Sequence, residues 1–500
     1  MIFKRLIIVL IGFYLSSLYT QEKSKNLVYD GDILFRSFYL SRDILLEKQT
    51  KEVCPNPIEN YLNPTNIPNT KCKEKRDEHR IRFRLNFLFS PSSNVDVYYG
   101  LEVGDVSFGR ERNLVGPGSG GSGSGATNVE TRELRLSMIN KNYLFRIDVG
   151  IFPYSTPDGL VLAASGAGVR LRKEFKEINS QLEIVYFKLQ DNSFKDSDFN
   201  GFSDENYKDV ELISTIYKIF RFSTLTPQFY FVYKRDPIEK DKYDNPKDTF
   251  QFYWIGTYQQ YTQKNWNIYL NIVNQQGYLF SETKIIPNEA YLKTYFSDVY
   301  QFLQNQNNAF PRNRKKYPKN AYAGNIEFSY RILNELKISY VLTTATGRMG
   351  LNHDGTITFY NKDYYESANG AFQFSEIGID SSGGYSIINI DTLSGMIAQG
   401  IKFEYQFLQG VLVEPQYYLY KTHKTPVIDY NQFFNRMNFK NPSNYYGSEW
   451  NVKIVYKPWV NFSIRIQLAY FNAGDAYKVI NDIKNGDSLR EYSFYIQQKF

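Results

Sequence analysis

The chain is 500 residues long, 42% hydrophobic and 17% aromatic, with 43 Tyr and 38 Phe, and its mean hydropathy is -0.46. Beyond residue 20 it holds no apolar run of the roughly 18 residues that a membrane-crossing helix needs, which excludes a helical membrane protein. The net charge of +7, or +5 once Lys4 and Arg5 of the opening segment are set aside, is too small to point to nucleic acid.

Met1-Ile2-Phe3-Lys4-Arg5 is a short basic opening. Leu6 to Leu15 is almost wholly apolar but too short to span a bilayer, and polar Gln21-Glu22-Lys23-Ser24 follows. This pattern predicts a secretory leader over residues 1–20 and a single domain over 21–500. With no cysteine at its end, a lipid anchor is not expected. The two cysteines, Cys54 and Cys72, lie in one polar, Pro-rich segment. In an exported chain they meet an oxidising compartment, so they form either a loop disulfide or two free thiols.

From there the chain alternates apolar and polar residues in segments of about ten, the pattern of strands that cross a bilayer. In Arg80 to Phe89, Ile81, Phe83, Leu85, Phe87 and Phe89 take one face and Arg80, Arg82, Arg84 and Asn86 the other. Strands are predicted near 30–41, 79–90, 93–104, 129–139, 142–152, 167–175, 178–190, 208–220, 223–235, 249–261, 264–274, 321–331, 334–347, 395–408, 410–421, 446–457, 460–473 and 487–500. The fold class is therefore all-β, a transmembrane antiparallel β-barrel of about 18 strands. Pro227 and Pro415 fall inside two of these strands and predict bulges.

The connections alternate. Short turns such as Ser90-Pro91-Ser92, Asn140-Lys141 and Pro458-Trp459 are each followed by a long polar segment, which predicts short periplasmic turns, long outer loops and both termini on the periplasmic side. The longest loops are expected at 275–320, with Arg312, Arg314, Lys315, Lys316 and Lys319, and at 348–394. Residues 116–125 form a Gly/Ser linker, either a mobile flap or slack; no Gly-Lys-Ser/Thr or helix follows, so it is not a phosphate loop. Trp266 and Trp459 beside short turns, with Trp450 near the opposite end of its strand, fit aromatic girdles. The chain closes on an alternating strand ending in Phe500, which looks like the C-terminal signal read by barrel-assembly machinery.

Charges on the transmembrane strands belong on the lumen side, because at mid-membrane a charge facing lipid costs about 2–4 kcal/mol. That rule turns Arg36, Arg80, Arg82, Arg84, Arg135, Arg146, Arg170 and Arg172 inward, with Glu133, Asp148, Glu174 and Glu183 as acidic companions; Glu449, Asn451, Lys453 and Arg465 join them from the far end. Two readings stay open. Arg and Lys rings select anions, and Arg presents paired donors that match carboxylates; alternatively, cross-strand Arg-carboxylate pairs merely neutralise one another and fill the lumen. No Cys/His cluster offers a metal site. His79, His353 and His423 form no nucleophile-base-orienter set, although His423 lies near Asp429 and His353 beside Asp354, so no enzyme is expected.

Residues 446–465 and Tyr470-Phe471-Asn472-Ala473-Gly474-Asp475-Ala476 resemble the penultimate hairpin of the alginate-export family of outer-membrane barrels, in which Gly447, Glu449, Tyr456, Lys457, Phe471, Gly474 and Asp475 match. Asn451 replaces an acidic residue and Ala473 the usual Pro. Arg146-Ile147-Asp148-Val149-Gly150 through Gly159-Leu160-Val161 is a weaker echo, and Ile151 and Phe152 depart from an Arg-Gln pair there. The resemblance implies a monomeric barrel of 18 strands with an electropositive, loop-gated pore for an anionic polysaccharide. The sequence thus leads to an outer-membrane channel in contact with outer-membrane lipid, without cofactor or nucleic acid, passing anionic or polar solutes or polysaccharide. The alternative is a barrel scaffold whose long loops bind a partner or host ligand.

Overall fold

The computed structural model describes residues 26–46, 70–108, 129–190, 210–236, 249–284, 312–348, 361–368, 372, 375, 394–425, 443–480 and 488–500. The expected leader, the Gly/Ser segment, Cys54, His353, Asp354 and Asp429 lie outside these residues, as does the side chain of Cys72, so the disulfide question does too.

Eighteen strands run in chain order: β1 (Asn26–Leu46), β2 (Thr70–Ser92), β3 (Val95–Phe108), β4 (Val129–Asn140), β5 (Phe145–Ser155), β6 (Ala163–Phe175), β7 (Ser180–Gln190), β8 (Val210–Ile219), β9 (Leu225–Asp236), β10 (Thr249–Gln263), β11 (Trp266–Lys284), β12 (Arg312–Arg331), β13 (Leu336–Ala345), β14 (Met396–Leu408), β15 (Val411–Thr422), β16 (Tyr445–Trp459), β17 (Phe462–Ala473) and β18 (Ser488–Lys499). A short helix, α1 (Asp475–Ile480), follows β17. Each strand pairs antiparallel with its sequence neighbours, and β18 pairs back onto β1, so the sheet has no free edge. The seam ends on Phe500, which exchanges two backbone hydrogen bonds of 3.0 Å with Gly31. Its ring stacks on Phe83 at 6.0 Å and lies where a Gly31 side chain would stand.

Outward positions are apolar and exposed on every part of the wall: Ile33, Leu134, Leu136, Ile213, Phe229, Phe231, Ile255, Ile272, Phe328, Ile401, Phe403, Ile466 and Leu468. A closed barrel satisfies every backbone group internally, and with this exterior it is built to stand in hydrocarbon. Near the short turns Trp266 packs on Phe328 and Tyr330, with centroids 4.8 and 4.1 Å apart, and Trp459 on Phe462 at 4.6 Å. Towards the other rim Trp450 lies 4.4 Å from Tyr417.

Three features depart from the expected strands. First, β11 and β12 pair from Lys284↔Arg312 to Trp266↔Tyr330, so residues 275–284 and 312–320 of the loop expected over 275–320 are paired strand. Second, the pairs beside Pro227 and Pro415 show no bulge. Gln259↔Pro227 keeps register, and on the β8 side Pro227 lies past the last pair, Lys218↔Gln228. At Pro415 the β14 ladder lapses between Lys402↔Gln416 and Tyr405↔Val413 without a shift. A missing donor needs no bulge where the neighbouring ladder has already stopped. Third, glycines sit opposite inward aromatics: Gly168↔Phe187, Gly256↔Tyr230 and Gly400↔Tyr418. A Cβ at Gly256 would stand 2.1 Å from the Tyr230 ring, so the ring occupies the space the glycine leaves.

Candidate functional site

The inner wall falls into two unlike sectors. From β7 to β14 it carries Val185, Phe187, Leu212, Ile216, Val232, Phe252, Trp254, Val273, Ala321, Ala323, Val341 and Ala398 in a buried apolar cluster that continues into Phe152 and Tyr154 on β5, Tyr420 on β15 and Phe471 on β17. Near the β12–β13 turn the pairs Lys337–Glu404 and Lys402–Glu327 also face inward. Running the other way, from β16 through β18 and β1 to β6, it carries the charges singled out in the sequence. The register places Arg36 between Arg80 and Tyr495, Tyr98 beside Arg135, Arg146 beside Arg172 and Asp148 beside Arg170. The guanidinium-bearing side chains of Arg82, Arg84, Arg146 and Arg172 remain 19%, 28%, 22% and 28% exposed, whereas the aliphatic and aromatic cluster is sealed. Open lumen therefore adjoins these arginines, as it does the Lys337–Glu404 and Lys402–Glu327 pairs.

Within that sector Asp148 is fully buried and shared by three arginines. Arg146 Nε donates at 2.7 Å, Arg170 Nε at 2.6 Å, and Arg135 Nη1 lies 3.2 Å away. Ser137 also donates to it, and Glu133 reaches Arg135 at 2.8 Å. Arg135 stacks over the Tyr98 ring at 4.0 Å. Nearby, Arg84 and Arg132 share Glu102 at 2.6 and 2.9 Å, while the one-to-one pairs are Arg172 with Glu183 at 2.8 Å and Arg82 with Asp32 at 3.3 Å. On the far flank Lys453 pairs with Glu414, Arg465 lies over Tyr495 at 3.8 Å, and Asn451 is buried. Arg36 stacks over Phe38 at 4.5 Å. Glu449 does not face open lumen: it is fully buried and accepts from Tyr420 at 2.6 Å. Glu174 is exposed near the β6–β7 turn. His423 meets Thr344 Oγ1 at 2.7 Å.

The apolar sector is filled by two infolded loops. After β5 the chain makes a seven-residue excursion, 156–162, closed by Thr156, whose N–H donates to Leu162 O at 2.9 Å while Leu162 N–H donates to Thr156 Oγ1 at 3.1 Å. Asp158 sits at φ 56°, a left-handed value that Asp tolerates, and accepts from Leu160 N–H at 3.0 Å. Leu160, Val161 and Leu162 are fully buried. Asn271 on β11 reaches Asp158 at 2.7 Å and Pro157 O at 3.3 Å, and is itself fixed by the Tyr230 hydroxyl at 2.7 Å.

The second loop, residues 361–368 between β13 and β14, clasps the first. Ala368 N–H donates to Val161 O at 2.9 Å and the Tyr365 hydroxyl to Leu160 O at 3.3 Å. The wall pins it by Trp254 Nε1 to Glu366 O at 2.8 Å, Glu366 N–H to Gln275 at 2.9 Å, Lys234 to Ala368 O at 2.6 Å and Lys319 to Asn361 O at 3.1 Å. Sequence reading did not find this clasp. One signal for it exists: Phe250, Phe252 and Trp254 alternate with Tyr253 and Ile255, so β10 is apolar on both faces, as a strand is when both sides are covered.

No family model matches the chain, and neither does any curated protein. Among solved structures it is similar to Pseudomonas aeruginosa OccK5 (OpdH), at 12% identity and TM-score 0.47 over 94% of this chain and 98% of that one. Pseudomonas aeruginosa OpdK with vanillate gives 12% and 0.49 over 94% and 98%, and Acinetobacter baumannii OccAB4 gives 10% and 0.48 over 96% and 99%. Likeness at this level says nothing of solute or role, and the barrel stands on its own register. A closed antiparallel barrel of 18 strands with an apolar exterior makes this chain an integral outer-membrane β-barrel.

Proposed function

We propose that the barrel is a channel whose passage runs down the charged sector from β16 to β6, favours anionic solutes, and is narrowed by the clasped loops 156–162 and 361–368. The carrying observation is the convergence of Arg135, Arg146 and Arg170 on one buried carboxylate, Asp148, with Glu133 as the only other carboxylate touching the group among the described residues. Pure neutralisation would match charges one to one; here guanidinium exceeds carboxylate. An oriented excess of Arg donors on a low-dielectric wall attracts carboxylates and phosphates. The anionic polysaccharide implied by the resemblance is a narrower reading. Its matching residues Gly447, Glu449 and Phe471 are engaged in wall packing, with Phe471 filling the space beside Gly447 and Glu449 held by Tyr420.

The test is single-channel recording in a planar bilayer under a salt gradient. The wild-type barrel should show a reversal potential favouring anions. Changing Arg82, Arg84, Arg132 and Arg172 together to Gln should move it towards zero, with a folded barrel verified by its heat-modifiable migration. A folded variant with unchanged selectivity would remove the anion pathway.

A further inference from the structure

On the outer surface of β9 to β12, away from the pore, the register stacks outward residues in rows that change character with height. The lowest row is Phe229, Thr257, Ile272 and Gly324; the next is Phe231, Ile255, Asn274 and Tyr322. Above it come Tyr233, Tyr253, Gln276 and Asn320, then Arg235, Gln251, Tyr278 and Pro318. The middle rows are tied by a polar chain: Tyr253 hydroxyl to Gln276 at 2.7 Å, Gln276 to Asn274 at 2.6 Å, Asn274 to Asn320 at 3.0 Å. Lys316, one pair above the top row, folds over the Tyr278 ring at 3.5 Å, and both Lys316 and Arg235 are exposed. Among the residues whose side chains are described, the nearest outward carboxylate is Glu211, opposite Arg235 and already taking a hydrogen bond from Tyr186 at 3.1 Å. Arg314 and Arg312 follow Lys316 on β12 at two-residue spacing.

Apolar band, then amide and phenol, then cation is the order a lipid presents in reverse: acyl chain, glycerol or sugar, phosphate. Arg235 and Lys316 stand three strand spacings apart, about 14 Å of backbone, a gap that a headgroup with two phosphates fills. A soluble anion would have no use for the apolar rows continuous below it.

We propose that this face is a docking site for a phosphorylated lipid of the outer leaflet, its phosphates held by Arg235 and Lys316, its polar headgroup by Gln251 and the Tyr253-Gln276-Asn274-Asn320 chain, and its acyl chains by Ile255, Ile272 and Tyr322. The occupant is recognised by phosphate on an acyl-bearing body, so the site is independent of what the pore carries.

Native mass spectrometry of the intact barrel, released from micelles doped with a diphosphorylated glycolipid, tests this. The wild type should retain the lipid. The double variant Arg235→Gln/Lys316→Gln should retain about tenfold less, each lost charge-assisted pair lowering affinity. Lys141→Gln/Lys176→Gln, at the short-turn rim, should match wild type. Equal retention by the first double variant, or of the dephosphorylated lipid by wild type, would overturn the proposal. Inorganic pyrophosphate distinguishes the two sources of phosphate: if it displaces the bound glycolipid at equal concentration, the site is one for soluble anions and the lipid assignment fails.

Discussion

At Asp148 one buried carboxylate holds three guanidiniums, so its removal strands positive charge rather than a single partner. Breaking one side of a buried ion pair costs about 3–5 kcal/mol. Asp148→Ala is therefore expected to lose that much stability in urea unfolding followed by Trp fluorescence in lipid vesicles, and Asp148→Asn to lose less while raising anion preference. A loss below about 1 kcal/mol for the Ala variant would mean the arginines are held by other contacts. Asp158 behaves differently. Crowding by the surrounding wall is the largest influence and pushes its carboxyl up to about 7, opposed by hydrogen bonds from Leu160 N–H, Asn271 and Asn325. Water in the lumen reaches this exposed residue and tempers the rise. A raised carboxyl favours its neutral form in place, whereas the freed loop's carboxyl ionises near its ordinary pKa of about 4. Docking is thus strongest at low pH and weakens as pH rises from about 4 through about 7. Channel openings should lengthen between pH 5.5 and pH 8.5, and Asp158→Asn, which keeps an acceptor and tolerates the positive φ, should abolish the difference.

Among the strands, a chain of contacts joins the wall to the loop: Gly256 makes room for Tyr230, Tyr230 fixes Asn271, and Asn271 holds Asp158 and Pro157. Gly256→Ala puts a methyl into the Tyr230 ring, an overpacking that costs about 1–3 kcal/mol, and the displaced ring releases Asn271. Its predicted signature is a lower melting temperature together with higher conductance. Gly324→Ala is the control, since its Cβ meets only Asn271 O at 3.3 Å and Ile272 at 3.9 Å; if Gly256→Ala conducts as Gly324→Ala does, the wall does not hold the loop. These elements also mark where sequence reading stops. All 18 strands are visible in the alternation because lipid on one side and lumen on the other impose a two-residue period. The upper halves of β11 and β12 escape it because Gln275-Gln276-Gly277 and Lys315 to Lys319 are polar on both faces once the strands rise above hydrocarbon. The clasp escapes it because Tyr365 and Leu160 are 205 residues apart. Its acceptors are main-chain carbonyls of Leu160, Val161, Glu366 and Ala368, which any sequence offers. Side-chain charge is legible by position; a backbone acceptor is not.

For the molecule as a whole, the proposed function implies an off-centre passage. An 18-stranded barrel is wide enough to leave water inside, yet between β7 and β14 the wall beyond the Lys337–Glu404 and Lys402–Glu327 pairs is closed by apolar side chains and by residues 156–162 and 361–368. In the proposed channel a solute entering from the long-loop side passes along β16 to β6, where Arg82, Arg84, Arg172 and Lys453 keep part of their side chains exposed. On the proposed function, filling one side narrows the path and at the same time brings the charges on the other side nearer to whatever moves past them, so loops and arginines would act as one selectivity device. This asymmetry can be read directly by cysteine labelling in a Cys54→Ser/Cys72→Ser background. Cysteines replacing Arg84 and Lys453 should react within minutes with a charged, membrane-impermeant thiol reagent, and the anionic form of the reagent should react faster than the cationic one. Cysteines replacing Val232 and Val341, fully buried on the opposite side, should stay unlabelled in the folded barrel and react only after unfolding. Equal labelling on both sides would mean that the apolar sector is hydrated and the lumen central, and the charged wall would then lose its hold on the passing solute.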